Sequence, residues 1–518
     1  MLWLDEEMIA INIRDRSFGE LAGTLSLGQA APYGWLVLER LLVIVFGSGE
    51  RALRFVPMAF GVATLAGGVW IGRRWMSTLG AASLVFLCAM GQWVAFHALE
   101  LKHYSADTCF GLLLPALAAW AVEPSKPGGP HGSHRILAWW VAAALAQWVS
   151  NGALFVAPAC AVVIVLAAAR QRGWRGAMRA AAPGFLWLGS FAVNYVVTLG
   201  PAARSDFLQR YWSTSFPPPG AGLTGVVAWN VAQLGPLADK PGGSGLGVVF
   251  WLVAAAGLFD FGRRSRYPAA FRAAYALVPI SAFLLTAIRL VPMAERLGLW
   301  FVPALYIGVA LSAEAAAALV RKPWARPHAG RLTAGAAALV LLAVMAVDVF
   351  ERGTIYVALR PFESNHGFDD RAAINWLVRQ RRPGDVWMAP QLSLPAIWWY
   401  AADAASPAVE ASFDLDRSAC GARDVQAWRA GSQARRALVY LGFGADTPTV
   451  FIETLVSRLT TVGSVVAYRA FQTGHALVID LQIPQARPLT LQTLLNPTVP
   501  GSQPHESGCI MIAPAARW

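Results

Sequence analysis

Apolar stretches of near-membrane length, separated by short polar loops, dominate this chain from Phe55 to Phe350. A helix needs about 20 predominantly apolar residues to cross the hydrocarbon core of a bilayer. Stretches approaching that length fall near 55–72, 79–97, 108–122, 136–150, 153–169, 184–200, 246–262, 270–288, 297–318 and 333–350. The fold class they imply is an α-helical polytopic membrane protein with about ten transmembrane helices. Composition agrees, since only 14% of the 518 residues are charged and 56% are hydrophobic; an average soluble domain carries about 25% charged residues. The stretch 33–47 is apolar but brief, and Glu39 and Arg40 interrupt it. It is expected to lie on the membrane surface as a juxtamembrane helix.

The net charge of +12 would suggest nucleic acid in a soluble protein. Here the basic residues gather in alternate loops: Arg73 and Arg74, Lys126 and Arg135, Arg170 to Arg179, Arg263 to Arg272, and Arg321 to Arg331. The positive-inside rule accounts for that pattern and makes those loops cytoplasmic, so no nucleic-acid partner is expected. The opposite loops mix signs, with Asp5, Glu6, Glu7, Glu100, Lys102, Asp107, Arg204, Asp206, Asp239, Arg289, Glu295 and Arg296. They would face the periplasm, the exterior or a lumen. Because Asp5 lies in such a segment with no span before it, a first transmembrane helix is expected to be missing from this sequence.

Residues 351–518 change character, with more charge and shorter alternating patterns. Asp369 to Gln380 reads as an amphipathic helix with Ala373, Trp376 and Leu377 on one face. Arg382-Pro383-Gly384-Asp385 reads as a turn before a strand at Val386 to Met388. A strand at Ala437 to Leu441 precedes a helix at Thr447 to Leu459, which has Pro448 near its start. Val462 to Phe471 and His475 to Leu481 form a hairpin through Gln472-Thr473-Gly474. The division is thus a membrane domain over 1–350 and a small extracytoplasmic α/β domain over 351–518, which either binds an acceptor or only caps the membrane part. Of the five cysteines, Cys88, Cys109 and Cys160 sit in apolar stretches; Cys420 and Cys509 lie in the outward region, where a disulfide between them is permitted.

The candidate chemistry sits on the outward side. Asp5 and Glu6 are either a wet loop end or an acid pair at the mouth of a membrane cleft, where a carboxylate can take a proton from an acceptor hydroxyl. In Glu100-Leu101-Lys102-His103-Tyr104-Ser105-Ala106-Asp107, helical spacing would put Glu100, His103, Tyr104 and Asp107 on one face. Ionisable residues at the rim of apolar spans serve a cavity or a partner, or else pair with each other in a solvated loop. Lys102 suits a phosphate as a point charge. Arg289 and Arg296 flank Pro292 in a later outward loop and suit bidentate phosphate binding, or snorkel at a span end. Tyr211 and Trp212, ahead of Phe216-Pro217-Pro218-Pro219, would line a sugar or lipid site or anchor at the interface.

The succession of Leu4-Asp5-Glu6, Gln29-Ala30-Ala31-Pro32-Tyr33, Glu100-Leu101-Lys102-His103-Tyr104-Ser105-Ala106-Asp107, Tyr211-Trp212, Pro292 to Arg296 and Arg382-Pro383-Gly384-Asp385-Val386 resembles the GT-C membrane glycosyltransferases. The resemblance is to the branch of protein mannosyltransferases, lipid A aminoarabinose transferase and lipopolysaccharide-core sugar transferases. It covers nearly the whole chain and implies inverting transfer of a sugar from a polyprenyl-phosphate donor to an extracytoplasmic acceptor at the cytoplasmic membrane. It makes Asp5 the essential acid, with Glu6 beside it, and puts Glu100, Lys102 and Asp107 near the donor phosphate. Arg289 or Arg296 would bind the lipid phosphate. A divalent cation, Mg or Mn, on Asp5, Glu100 and Asp107 is permitted but not required. The rival readings are a transporter or flippase, which would carry midplane charges and internal repeats, and a non-catalytic membrane scaffold.

Overall fold

The structure is a computed structural model describing residues 1–124, 132–259, 268–321, 329–358, 369–402, 409–416, 424–442, 449–472, 474–483, 489, 494 and 509–513. The chain divides into two compact units, one of Arg16–Pro361 and one of Met1–Asp15 with Phe362–Trp518. The boundary falls at 361/362 where the sequence suggested 350/351, because the last membrane helix runs on over Ala329–Ala358. The first fifteen residues belong with the C-terminal unit instead of the membrane unit.

Arg16–Pro361 is a multi-pass membrane unit. Among the described residues, Glu50–Trp75, Tyr104–Val122, Ala153–Ala203, Ala269–Ala287, Val302–Val320 and Thr333–Thr354 are long and apolar enough to cross a membrane. The expected span at 79–97 is a broken pair, Thr78–Met90 and Gln92–Ala98, bent by 56° at Gly91. The 51-residue run Ala153–Ala203 is, at about 1.5 Å per residue, more than twice one bilayer crossing; its backbone leaves the helical region at Gly173. The expected spans at 136–150 and 246–262 are the shorter helices Gly132–Ala146 and Val248–Phe259.

With no hydrophobic drive between helices in lipid, these helices hold together by close backbone approach and by hydrogen bonds to main-chain carbonyls. A Cβ on Gly308 would lie 2.3 Å from the Ala254 carbonyl oxygen, and one on Gly257 only 1.9 Å from that of Gly308. The Trp139 indole donates to the Leu114 carbonyl at 3.0 Å, and the Tyr275 hydroxyl to that of Leu112 at 2.7 Å. At the end of the last membrane helix, Asp348 accepts from the Ser244 hydroxyl and the Gly245 N–H, each at 2.9 Å. Arg352 bridges Asp348 at 2.8 Å and Asp239 at 2.6 Å. The helix Tyr33–Phe46 has 14 residues, roughly 21 Å, too short to span. Trp35, Leu36, Glu39 and Val43 are buried on one face of it, while Leu41, Ile44, Val45 and Phe46 are exposed.

The other unit is a six-stranded mixed sheet with helices against it. Its strands are β1 (Val386–Pro390), β2 (Val409–Asp416), β3 (Arg436–Leu441), β4 (Ser464–Ala470), β5 (His475–Asp480) and β6 (Cys509–Ala513), in the order β4-β5-β3-β1-β2-β6. β1 runs parallel to β2 and β3, and the remaining pairings are antiparallel. The helix Asp370–Gln380 buries Ala373, Ile374 and Leu377, a stripe at helical spacing. Gly384, at φ 85°, turns the chain into β1 while Asp385 accepts from the Arg382 N–H at 2.8 Å. The helix Thr449–Thr460 supplies Ile452, Leu455, Val456 and Leu459 to the core. Pro448 lies outside the described residues, as does Cys420, so the structure says nothing of a Cys420–Cys509 bridge. Cys88, Cys109 and Cys160 are free buried thiols.

Candidate functional site

The sharpest concentration of buried polar groups in the membrane unit lies between Ala98 and Tyr104. The helix Gln92–Ala98 stops there and the next begins at Tyr104. Glu100 to His103 therefore bridge two helices, and the single helical face expected for Glu100, His103, Tyr104 and Asp107 does not form. The physical reason is local: the Lys102 N–H bonds the Glu100 carbonyl at 2.7 Å, a turn too tight for helix. His103 and Asp107 alone keep the i,i+4 relation, with Nε2 and Oδ2 3.8 Å apart.

Each side chain of this turn is buried and engaged. Glu100 shares a short hydrogen bond with His97 Nδ1. Lys102 Nζ donates to Gln29 Oε1 at 2.6 Å, tying this turn to the loop before the surface helix. His103 Nε2 lies 3.1 Å from Asn151 Nδ2, and its ring packs edge-on to Trp35. Asp107 Oδ1 accepts from the Ser150 hydroxyl at 2.7 Å and the Gly152 N–H at 2.8 Å, capping the helix that follows. Burial above all, then the positive charges of Lys102 and Arg296, push the His103 imidazole down to about 3. It is neutral at physiological pH and too weak a base to take a proton from a hydroxyl.

The later loops reach the same turn. The Arg296 guanidinium lies 5.8 Å from the ring centroids of both Tyr104 and Trp212. Arg289 stands elsewhere: it is exposed, lies over the Phe216 ring and donates to the Pro217 carbonyl. It fixes the loop that carries Trp212, helped by the Met293 N–H bonding the Ser215 carbonyl at 2.9 Å. Tyr211 is exposed and stacks on Phe207. Asp5 and Glu6 belong to the other unit, in the first turn of the helix Leu4–Asp15, where the helix dipole favours acids. Glu6 is buried and accepts from the Trp3 N–H at 3.3 Å, while Asp5 is half-buried. Among the described residues no group of three or more His, Cys, Asp or Glu gathers in a way that could hold a metal ion.

No protein-family model and no curated protein matches the chain. Among solved structures it is similar to ArnT from Cupriavidus metallidurans bound to undecaprenyl phosphate, with a TM-score of 0.54 at 14% identity over 92% of this chain and 93% of that one. The chain has the GT-C fold. ArnT in the apo state matches with a TM-score of 0.52 at 13% identity over the same shares. Within the GT-C fold of this chain, His97, Ser150 and Asn151 are site residues that the sequence does not single out, and Gln29 stands in a quoted segment without a role assigned to it. His97 was legible as a histidine three residues before Glu100. The other three are brought in by tertiary contacts across 43 to 73 residues of chain, which no local spacing encodes.

Proposed function

We propose that this chain is a membrane glycosyltransferase that moves a sugar from a polyprenyl-phosphate-linked donor to an acceptor outside the cytoplasmic membrane, with inversion at the anomeric carbon. The observation that carries the reading is the placing of Arg296 over Tyr104 and Trp212, with its charge and that of Lys102 both felt at His103. A cation over two aromatic rings, with a second cation on the neighbouring turn, suits a phosphate whose tail lies in lipid. Undecaprenyl phosphate is what the similar ArnT structure binds.

The step is a single displacement. The acceptor oxygen forms a bond to the anomeric carbon as the bond from that carbon to the phosphate oxygen breaks. The polyprenyl phosphate leaves with the bonding electrons, and Lys102 and Arg296 steady the charge that develops on it. The acceptor's proton goes to a carboxylate, for which Asp5 is the proposed base; its partial exposure favours it over the buried Glu6. Glu100 and Asp107 already spend oxygens on His97, Ser150 and Gly152, so this scheme routes no step through a divalent cation.

The reading is tested with purified protein in nanodiscs, radiolabelled polyprenyl-phosphate sugars and a membrane-glycolipid extract. Label should pass to an acceptor with the wild type. Asp5→Asn should slow transfer by about a hundredfold or more while leaving donor binding intact. Lys102→Ala should weaken donor binding by about tenfold or more. Absence of both transfer and lipid binding across all donors would favour a scaffold.

A further inference from the structure

Gln29, which accepts from Lys102, also lines a small, partly open cleft. One wall is the loop around Gly28 and Gln29; the other carries Thr198 and Ser205. Gly28 has φ +65°, and a Cβ there would lie 2.7 Å from the Phe207 ring, so glycine lets the walls approach this closely. The described lining residues offer hydroxyl, amide and main-chain groups and include no ionisable side chain.

Thr198 is the unusual member. Buried threonines elsewhere in the membrane unit return their hydroxyl proton to the carbonyl four residues back, as Thr64 does to Phe60, Thr108 to Tyr104 and Thr286 to Ala282. Thr198 sits in the π-helical turn Tyr195–Leu199, and its buried hydroxyl has no hydrogen-bond partner among the described residues. A buried polar group left unpaired calls for an explanation, and single π turns recur at functional sites.

We infer that this cleft receives the sugar ring of the donor, and that it selects a neutral sugar over an aminated or acidic one. The inference rests on the proposed function, because it takes Lys102 as a phosphate ligand. A sugar is bonded directly to that phosphate, so its ring falls beside Gln29, the residue that joins Lys102 to the cleft. The Thr198 hydroxyl and the Gln29 amide meet ring hydroxyls. Among the described lining residues there is no carboxylate to pair with an amine, and the neighbouring Lys102 is taken up by the phosphate, leaving no cation for an acid.

The experiment measures binding of undecaprenyl phosphate, bare or carrying a neutral hexose, a neutral pentose, an amino sugar or a uronic acid, to the full chain in nanodiscs. A neutral-sugar form should bind the wild type more tightly than the bare lipid. Thr198→Val should reduce that advantage by about fivefold, the worth of one neutral hydrogen bond, without changing affinity for the bare lipid. Thr198→Ser, which keeps the hydroxyl, should restore it. The inference is overturned if the amino sugar or the acid binds best, if no sugar adds to bare-lipid affinity, or if Thr198→Val weakens every lipid alike. Failure of even the bare lipid to bind would instead sink the proposed function.

Discussion

Glu39 is fully buried on the helix Tyr33–Phe46, and neither of its carboxyl oxygens has a hydrogen-bond partner among the described residues. Burial alone holds its pKa well above the usual carboxylate range. An unpaired buried carboxyl costs stability once it is asked to ionise. Glu39→Leu should therefore stabilise the protein by about 1–3 kcal/mol, with the larger gain at higher pH. Thermal unfolding in detergent reads it; a lower melting temperature would mean that the carboxyl has a use. Asp370, in the C-terminal unit, is a second case. Burial raises its pKa to about 6 against the Tyr440 hydroxyl that donates to it, and Asp369 adds to the rise. A raised carboxyl binds more protons folded than unfolded, so its contribution is present below about pH 4 and is lost as pH rises through about 6. Asp370→Asn should flatten that loss, on the order of 1–3 kcal/mol, in unfolding followed between pH 4 and 7. Neither burial was legible in the sequence: Glu39 reads as the polar interruption of a surface helix, and Asp370 as the start of an amphipathic one. Residue type gave the acid, but only tertiary packing removes its water.

Elements were far more legible, because hydropathy over 15 to 20 residues averages out local exceptions. Each apolar stretch beyond Phe55 is helical, and the strand patterns at Val386, Ala437 and His475 are strands. What hydropathy could not mark was continuity. It did not separate the break at Gly91 from a straight span, nor foresee that β2 and β6 would complete the sheet. Breaks and pairings depend on what approaches the backbone from elsewhere. The Gly257–Gly308 crossing shows this most plainly, since two unremarkable glycines carry a contact closer than any side chain permits. Gly308→Val should cost about 1–3 kcal/mol or more by forcing the helices apart. It should lower the yield of monodisperse protein on size-exclusion chromatography, whereas Gly189→Val, with nothing near its Cβ, should not.

At the scale of the whole molecule, the C-terminal unit is built from both ends of the sequence. The helix Leu4–Asp15 packs with the helix Leu394–Tyr400: the Leu2 N–H donates to the Tyr400 hydroxyl at 2.9 Å, and Arg14 lies over the Trp399 ring while donating to the Trp398 carbonyl at 3.1 Å. All of the membrane unit intervenes between these partners. A ribosome adding about 5–20 residues per second takes roughly 20 to 70 seconds to make that stretch. For that interval Leu4, Ile9, Ile11 and Ile13, all buried in the finished protein, have no native surface in their own unit to cover them. The helix Leu4–Asp15 is thus made before the membrane unit but can reach its final place only after that whole unit has been made.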